Sequence, residues 1–280
     1  MSYLVLKPGM LLSHSIEDYP EGIVVPVDKP YRWTSADVIR KVKWMAVKHF
    51  GKKNLKVGHA GTLDPLVTGV LLVCIGKATK LADELQRSPK QYLAGVSFGA
   101  TTPSYDREKA IDARYPVDGI TREAVEKMLQ GFVGEQEQVA PLFSAKSVDG
   151  VRAYEMARRA YSQAARSGEG FDHSGTELLS RQKIEISALE LVSFGEPVRE
   201  VDTVSPNPRI NVTDISAETG LVNAEILVDC SKGTYIRALA RDWGEALGGG
   251  AFLNNLRRTR CGSFKVEEAL SIQEALECFG

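Results

Sequence analysis

The chain has 280 residues, 43% of them hydrophobic, and its 35 basic and 36 acidic side chains leave a net charge of −1. That is enough apolar mass for one large core or two small ones. No apolar run reaches about 18 residues and no basic-then-apolar leader opens the chain, which argues against a membrane span and a secretory signal and for a cytoplasmic protein.

Residues 1–22 read as an N-terminal extension of weak structure, with one edge strand at Tyr3 to Leu6. An apolar strand from Gly22 ends at Asp28-Lys29-Pro30, because Pro30 stops it. Thr34-Ser35-Ala36-Asp37 has the capping-box pattern, and Val38, Val42, Met45 and Ala46 recur at helical spacing as far as Gly51. Next comes a loop around Asp64, shaped by Gly58, Gly61, Gly69 and Pro65, followed by a short buried strand from Val70 to Ile75. Further expected elements are a helix at Thr79–Leu85, a strand at Tyr92–Ala100, a polar loop at Thr101–Asp112 and a helix at Arg122–Phe132. Pro141–Val148 reads as a short extended piece, turned by Asp149-Gly150 into a basic helix near Arg152–Arg159.

Ser162–Ser180, poor in apolar residues, is expected to be a mobile loop. Lys183–Phe194 and Leu221–Asp229 alternate as strands, with the Pro-rich Ser205-Pro206-Asn207-Pro208 marking an excursion between them. In Tyr235–Leu247 the set Ile236, Leu239, Ala240, Trp243 and Leu247 fits one helical face, which leaves Arg237 and Arg241 on the polar side. No repeat or linker interrupts this interleaving, so one mixed domain over 23–280 is the expectation.

The charges are segregated. No acid occurs between Val38 and Leu63, where Arg40, Lys41, Lys43, Lys48, Lys52, Lys53 and Lys56 stand, nor between Ala246 and Val266, where Arg257, Arg258, Arg260 and Lys265 stand. A solvated helix face explains one such stretch; two together suggest a positive face for a polyanion such as RNA. The usual catalytic signatures fail. Gly76-Lys77 is followed by Ala78 and its spacing from Gly69 is wrong for a Walker loop, and no Gly-x-Ser-x-Gly elbow or Gly-x-Gly-x-x-Gly fingerprint occurs. His14, His49, His59 and His173 lack metal-ligand spacing, and Cys74, Cys230, Cys261 and Cys278 form no Cys-x-x-Cys pair and read as buried free thiols. No metal or cofactor is expected.

What remains is Asp64. Gly58-His59-Ala60-Gly61-Thr62-Leu63-Asp64-Pro65-Leu66-Val67-Thr68-Gly69-Val70-Leu71, with Gly76-Lys77-Ala78-Thr79-Lys80, resembles the catalytic motif of the TruB family of tRNA pseudouridine synthases. Other family motifs follow in order. Asp28-Lys29-Pro30 with Thr34-Ser35 resembles the opening motif, Lys90-Gln91-Tyr92 the tyrosine strand, and Phe143-Ser144-Ala145 with Gly150, Tyr154, Ala157 and Arg158 the start of an RNA-clasping insertion, about 139–180. Ser231-Lys232-Gly233-Thr234-Tyr235-Ile236-Arg237 is similar to the arginine motif and Leu256-Arg257-Arg258-Thr259 to the closing one.

The resemblance implies an α+β pseudouridine synthase fold, a mixed and largely antiparallel sheet with flanking helices, and isomerisation of the tRNA T-loop uridine at position 55 without cofactor or metal. It implies Asp64 as nucleophile, attacking C6 of the base or C1′ of the sugar, Arg237 as the cation that keeps it ionised, and Tyr92 as the stacking residue that removes a proton. His59 matches the residue that fills the place of the flipped base. Lys146, Arg257 and Arg258 are expected on RNA. Lys29, grouped with them, is expected to support the loops rather than touch the base. Gly61, Thr62, Leu63, Tyr235 and Leu256 are expected to support the site.

Val67 and Ser147 stand where the family usually has Ala and Lys, with Lys146 one position early, and Ser162–Ser180 and Pro197–Gly220 look longer than usual. The chain ends at Gly280, so the resemblance implies a short form without a C-terminal PUA-type domain, a monomer with weaker tRNA affinity. An RNA-binding folding helper without turnover, or a related synthase acting on another RNA, are the alternatives.

Overall fold

The computed structural model describes residues 3–144, 146–148, 150–167, 171, 179–198 and 210–280. Ala145 of the insertion motif, residues 168–170 and 172–178 of the loop expected over Ser162–Ser180, and the Ser205–Pro208 excursion lie outside the described residues. In chain order the first elements are β1 (Leu4–Val5), β2 (Ile23–Lys29), α1 (Ser35–Phe50), β3 (Val57–Ala60), β4 (Val67–Ile75), α2 (Ala82–Arg87), β5 (Lys90–Phe98), β6 (Ala100–Thr101), β7 (Ala113–Arg114) and α3 (Arg122–Gln130). They continue as β8 (Gly134–Val139), β9 (Ser147–Val148), β10 (Val151–Arg152), α4 (Ala153–Ser167), β11 (Arg181–Phe194), β12 (Val222–Cys230), α5 (Ile236–Ala246), β13 (Ala251–Cys261), β14 (Phe264–Lys265) and α6 (Ile272–Glu277). The architecture is α+β, with largely antiparallel pairing and β1 parallel to β2. None of the helices among the described residues is long and apolar enough to cross a membrane.

Two compact units emerge, one mainly Met1–Tyr92 with Arg257–Gly280, the other mainly Leu93–Glu200 with Asn211–Leu256. The first is centred on β4, all nine of whose residues are buried. One edge of β4 pairs with β2, from Ile23↔Ile75 to Lys29↔Gly69, and β3 pairs with its C-terminal half, from Val57↔Ile75 to Ala60↔Leu72. Val70, Leu72 and Cys74, alternating along the strand, pack with Val24, Ala60, Leu85 and Cys261. Full burial contributes about 1.5–3 kcal/mol for each large aliphatic side chain, so β4 anchors whatever loop precedes it. Helix α1 has the expected capping box, Thr34 accepting from the Asp37 N–H and Asp37 from the Thr34 N–H, and ends at Gly51 in the left-handed conformation, φ 61°. The N-terminal extension is packed: β1 adds a parallel edge to β2, and Leu6, Leu12 and Ile16 are buried.

In the second unit β11 pairs antiparallel with β12 on one side and β8 on the other. Ala224, Ile226, Val228 and Cys230 alternate inward along β12. The insertion residues Ala140, Leu142, Phe143, Ala153, Ala157 and Leu179 form a small apolar cluster, edged by Tyr154, Tyr161 and Tyr235. Helix α4 runs to Ser167, beyond the expected Arg159 and into the segment expected to be loop, because Gln163, Ala164, Ala165 and Arg166 are strong helix formers and the first glycine comes only at Gly168. All four cysteines are buried thiols outside any disulfide.

Candidate active site

Asp64 sits half-buried on the turn between β3 and β4, and the main chain on both sides of it is pinned. The Ser35 hydroxyl, at the first turn of α1, donates to the Leu63 carbonyl at 3.0 Å and accepts from the Leu63 N–H at 2.9 Å. Lys29, at the end of β2 and fully buried, donates from Nζ to the carbonyls of Trp33, Pro30 and Pro65 at 2.6, 2.9 and 3.3 Å. The Arg32 N–H reaches Pro65 O at 3.0 Å, and Asp64 O accepts from the Val67 N–H at 3.1 Å. Gly61 turns the chain at φ 88°, and its carbonyl accepts from Arg258 Nη2 at 3.2 Å. Thr62 is exposed and Leu63 buried, so the loop is anchored by its apolar residue and open beside it.

Arg258 requires a correction. It was expected on RNA, but it lies on β13 with 1% exposure, and Nε donates to Val70 O at 2.7 Å. Its guanidinium is committed to the main chain of the loop and of β4, and cannot reach a phosphate. Gly69 makes this approach possible: at φ 103°, a Cβ there would stand 2.2 Å from the Arg258 carbonyl oxygen. Arg257, the next residue, points the other way and forms a bidentate pair with Asp28 at 2.6 and 3.1 Å, both side chains about a third exposed.

These buried cations set the local electrostatics. Burial pushes the Lys29 ammonium down to about 7, against the pull of Asp64, Asp28 and Asp37 and with Arg258 adding to the depression. Lys29 thus holds the main chain around the loop, and its burial sets it apart from the RNA contacts with which it was grouped. His59, on β3, is half-buried, and burial followed by the Arg258 charge holds its imidazole below the usual histidine range and hence neutral near pH 7. Its Nδ1 is buried without a hydrogen-bond partner among the described residues. Tyr92 is half-buried on β5, beside Gln91, whose side-chain oxygen accepts from the Thr259 hydroxyl at 3.0 Å.

In the second unit the expectation for Arg237 also changes. It does not occupy a polar helix face; it is 7% exposed at the start of α5, with Nη1 on Ser104 O at 3.2 Å, Nη2 on Phe143 O at 2.8 Å and Nε 3.7 Å from the Asp106 carboxylate. Asp106 was not foreseen. It accepts from the Ser104 hydroxyl at 2.6 Å and the Glu108 N–H at 2.9 Å. Burial raises its carboxyl above the ordinary carboxylate range, and Arg237 pulls against that shift. Tyr105, between Ser104 and Asp106, adopts φ 56°, a conformation rare for an aromatic residue, under the guanidinium of Arg241 at 5.7 Å. Nothing in the polar stretch Thr101–Asp112 marks Asp106; only its distant partner Arg237 does.

Tyr235 caps α5, its N–H donating to Gln138 Oε1 at 2.8 Å and its carbonyl accepting from Gln138 Nε2 at 3.1 Å. Leu256 is buried. Lys146 is half-exposed in the insertion. Among the described residues no group of three or more His, Cys, Asp or Glu side chains is placed to hold a metal ion.

Residues 48–236 match the model of the N-terminal domain of TruB family pseudouridylate synthases. A tRNA pseudouridine synthase B from Phocaeicola vulgatus is 44% identical over 91% of this chain and 92% of that protein. The protein of the same name from Bacteroides fragilis is 45% identical over 90% and 92%, and that from Deinococcus radiodurans 35% over 91% and 78%. Among solved structures, a chain of a Cbf5-Nop10-Gar1 complex superposes with TM-score 0.59 at 23% identity, covering 94% of this chain and 56% of that one. A chain of an H/ACA RNP bound to a substrate RNA containing 2′-deoxyuridine gives 0.55 at 22% identity, over 92% and 53%. This chain spans a little over half the length of those two, and at such identities the likeness is one of fold. Matched over most of its length by the family model and by relatives of 35–45% identity, the chain belongs to the TruB family of pseudouridylate synthases.

Proposed function

We propose that this chain isomerises the uridine at position 55 of the tRNA T loop to pseudouridine, acting as a monomer in the cytoplasm. The relatives named tRNA pseudouridine synthase B support the substrate class, and the half-buried Asp64 on a loop whose main chain is pinned is the observation that carries the chemistry. The Asp64 carboxylate attacks C6 of the ring or C1′ of the sugar, the N1–C1′ bond breaks, the base turns and C5 bonds to C1′; the bond to Asp64 breaks to return the free carboxylate, C5 gives up its proton and N1 takes one up. Atoms balance without a co-reactant.

A nucleophile that must attack and then depart gains from a fixed position, and hydrogen bonds at Gly61, Leu63 and Pro65 hold the main chain on either side of it. Tyr92 takes the C5 proton. Arg237 is the third catalytic residue, on the motif it matches, and its buried partners favour a pre-set guanidinium. The target base is flipped out at a cost of a few kcal/mol, and the neutral imidazole of His59 suits the vacated, stacked position.

The test is tritium release from T-loop RNA labelled at uracil C5. Wild type should release it, and Asp64→Asn should lose release by at least about 10³-fold while binding RNA as wild type does. Joint loss of binding and release would make Asp64 structural, and no release by wild type would favour a folding helper. Mapping pseudouridines in RNA from cells lacking the gene identifies the substrate.

A further inference from the structure

The outer face of α1 takes no part in the site described above, yet it carries an exposed tryptophan among unneutralised cations. Val38, Val42 and Ala46 fill the inner face and are fully buried. Trp44 follows Val42 by two residues, about 200° around the helix, so its indole is directed away from the core and is 60% exposed. Arg40 and Lys41 lie one turn before it on the same stripe and Lys48 one turn after, all exposed, with Lys48 Nζ 5.6 Å from the indole centroid. Lys43 on the helix, and Lys53 and Lys56 in the segment after its end, are exposed as well.

Among the described residues two carboxylates pair with this charge. Asp37 pairs with Arg40, and Glu17 with Lys52 at 3.0 Å. Among the described residues Lys41, Lys43, Lys48, Lys53 and Lys56 have no ion-pair partner. Crowded like charges cost folding free energy, and an exposed indole gains nothing from the core; a phosphate backbone with accessible bases compensates for both.

We propose that this face of α1 is an additional RNA-binding surface, on which the lysines neutralise phosphates of the substrate tRNA and Trp44 stacks on an exposed base. The inference rests on tRNA being the substrate. Ser35, which holds Leu63, lies at the start of α1, and at about 1.5 Å per residue Trp44 is roughly 14 Å further along the axis, so the surface touches RNA outside the reacting nucleotide.

The experiment compares wild type, Trp44→Ala and Lys41→Gln/Lys48→Gln for Kd toward an unmodified tRNA transcript across a salt series, and for single-turnover rate at saturating RNA. Urea midpoints equal to wild type, expected for such exposed positions, confirm folding. Each variant should weaken tRNA binding by about tenfold, and the double variant should flatten the slope of log K against log salt by about two, with the single-turnover rate unchanged. Unchanged affinity and slope overturn the proposal. So does sedimentation in which Trp44→Ala dissolves a dimer while tRNA affinity stays at the wild-type value, which assigns the face to a second copy of the chain. Absence of turnover by wild type would instead break the functional reading, and the binding arm still decides this one.

Discussion

Arg258 in the first unit and Arg237 in the second are both buried arginines at motif positions, but their surroundings satisfy them differently. Arg258 donates to the Val70 and Gly61 carbonyls, and its charge helps push Lys29 and His59 toward their neutral forms. Arg237 has two carbonyls and the carboxylate of Asp106. A buried cation either keeps a counter-charge or presses its titratable neighbours to give up theirs. The first arrangement suits a rigid support behind the Asp64 loop; the second suits a guanidinium that keeps its charge where it is buried.

Breaking the close approach of β4 to Arg258 should have the largest effect. Gly69→Ala forces a Cβ against the Arg258 carbonyl at a φ of 103° and should cost about 4 kcal/mol in urea unfolding, whereas Gly58→Ala, with open space around it, should cost under about 1 kcal/mol. Equal losses at the two positions would detach Arg258 from the loop's geometry.

The contrast sharpens at Asp106. Asp106→Asn keeps the shape but removes the counter-charge of Arg237, and should cost about 3 kcal/mol together with most of the turnover. Adding Arg237→Met should recover part of the stability and none of the turnover. A double-mutant cycle with no coupling would show the pair to be incidental.

The smallest effect is in pH. Folded Lys29 holds its proton only below about pH 7, whereas an unfolded lysine holds it to about 10.4, so between these values the unfolded chain binds more protons and stability rises with pH. The gain from pH 7 to pH 9 should be about 2 kcal/mol, and Lys29→Met should remove this rise while lowering stability at pH 9, since three carbonyls lose their donor. A Lys29→Met profile parallel to wild type would place the titration elsewhere.

Much of the first unit was legible because its signals are local. The Thr34–Asp37 cap, the Gly51 terminus and the apolar run of β4 each need only a few neighbouring residues. Strand β13 was not legible: its Leu256-Arg257-Arg258-Thr259 segment read as a basic patch for RNA, since two adjacent arginines in a strand give no hint that one turns to a carboxylate and the other into the core. Arg237 read as the polar side of an amphipathic helix for the same reason, because Ser104, Asp106 and Phe143 arrive from segments about a hundred residues away.

The amino-acid sequence by itself determined the shaped loop around Asp64, the strand behind it, the helix after the opening motif and the family, because periodicity, caps and contiguous motifs are written in neighbouring residues. Tertiary structure alone decided which cations serve the main chain. Arg258 finds its acceptors 188 and 197 positions away, and charge can be buried only where the folded chain brings such partners together.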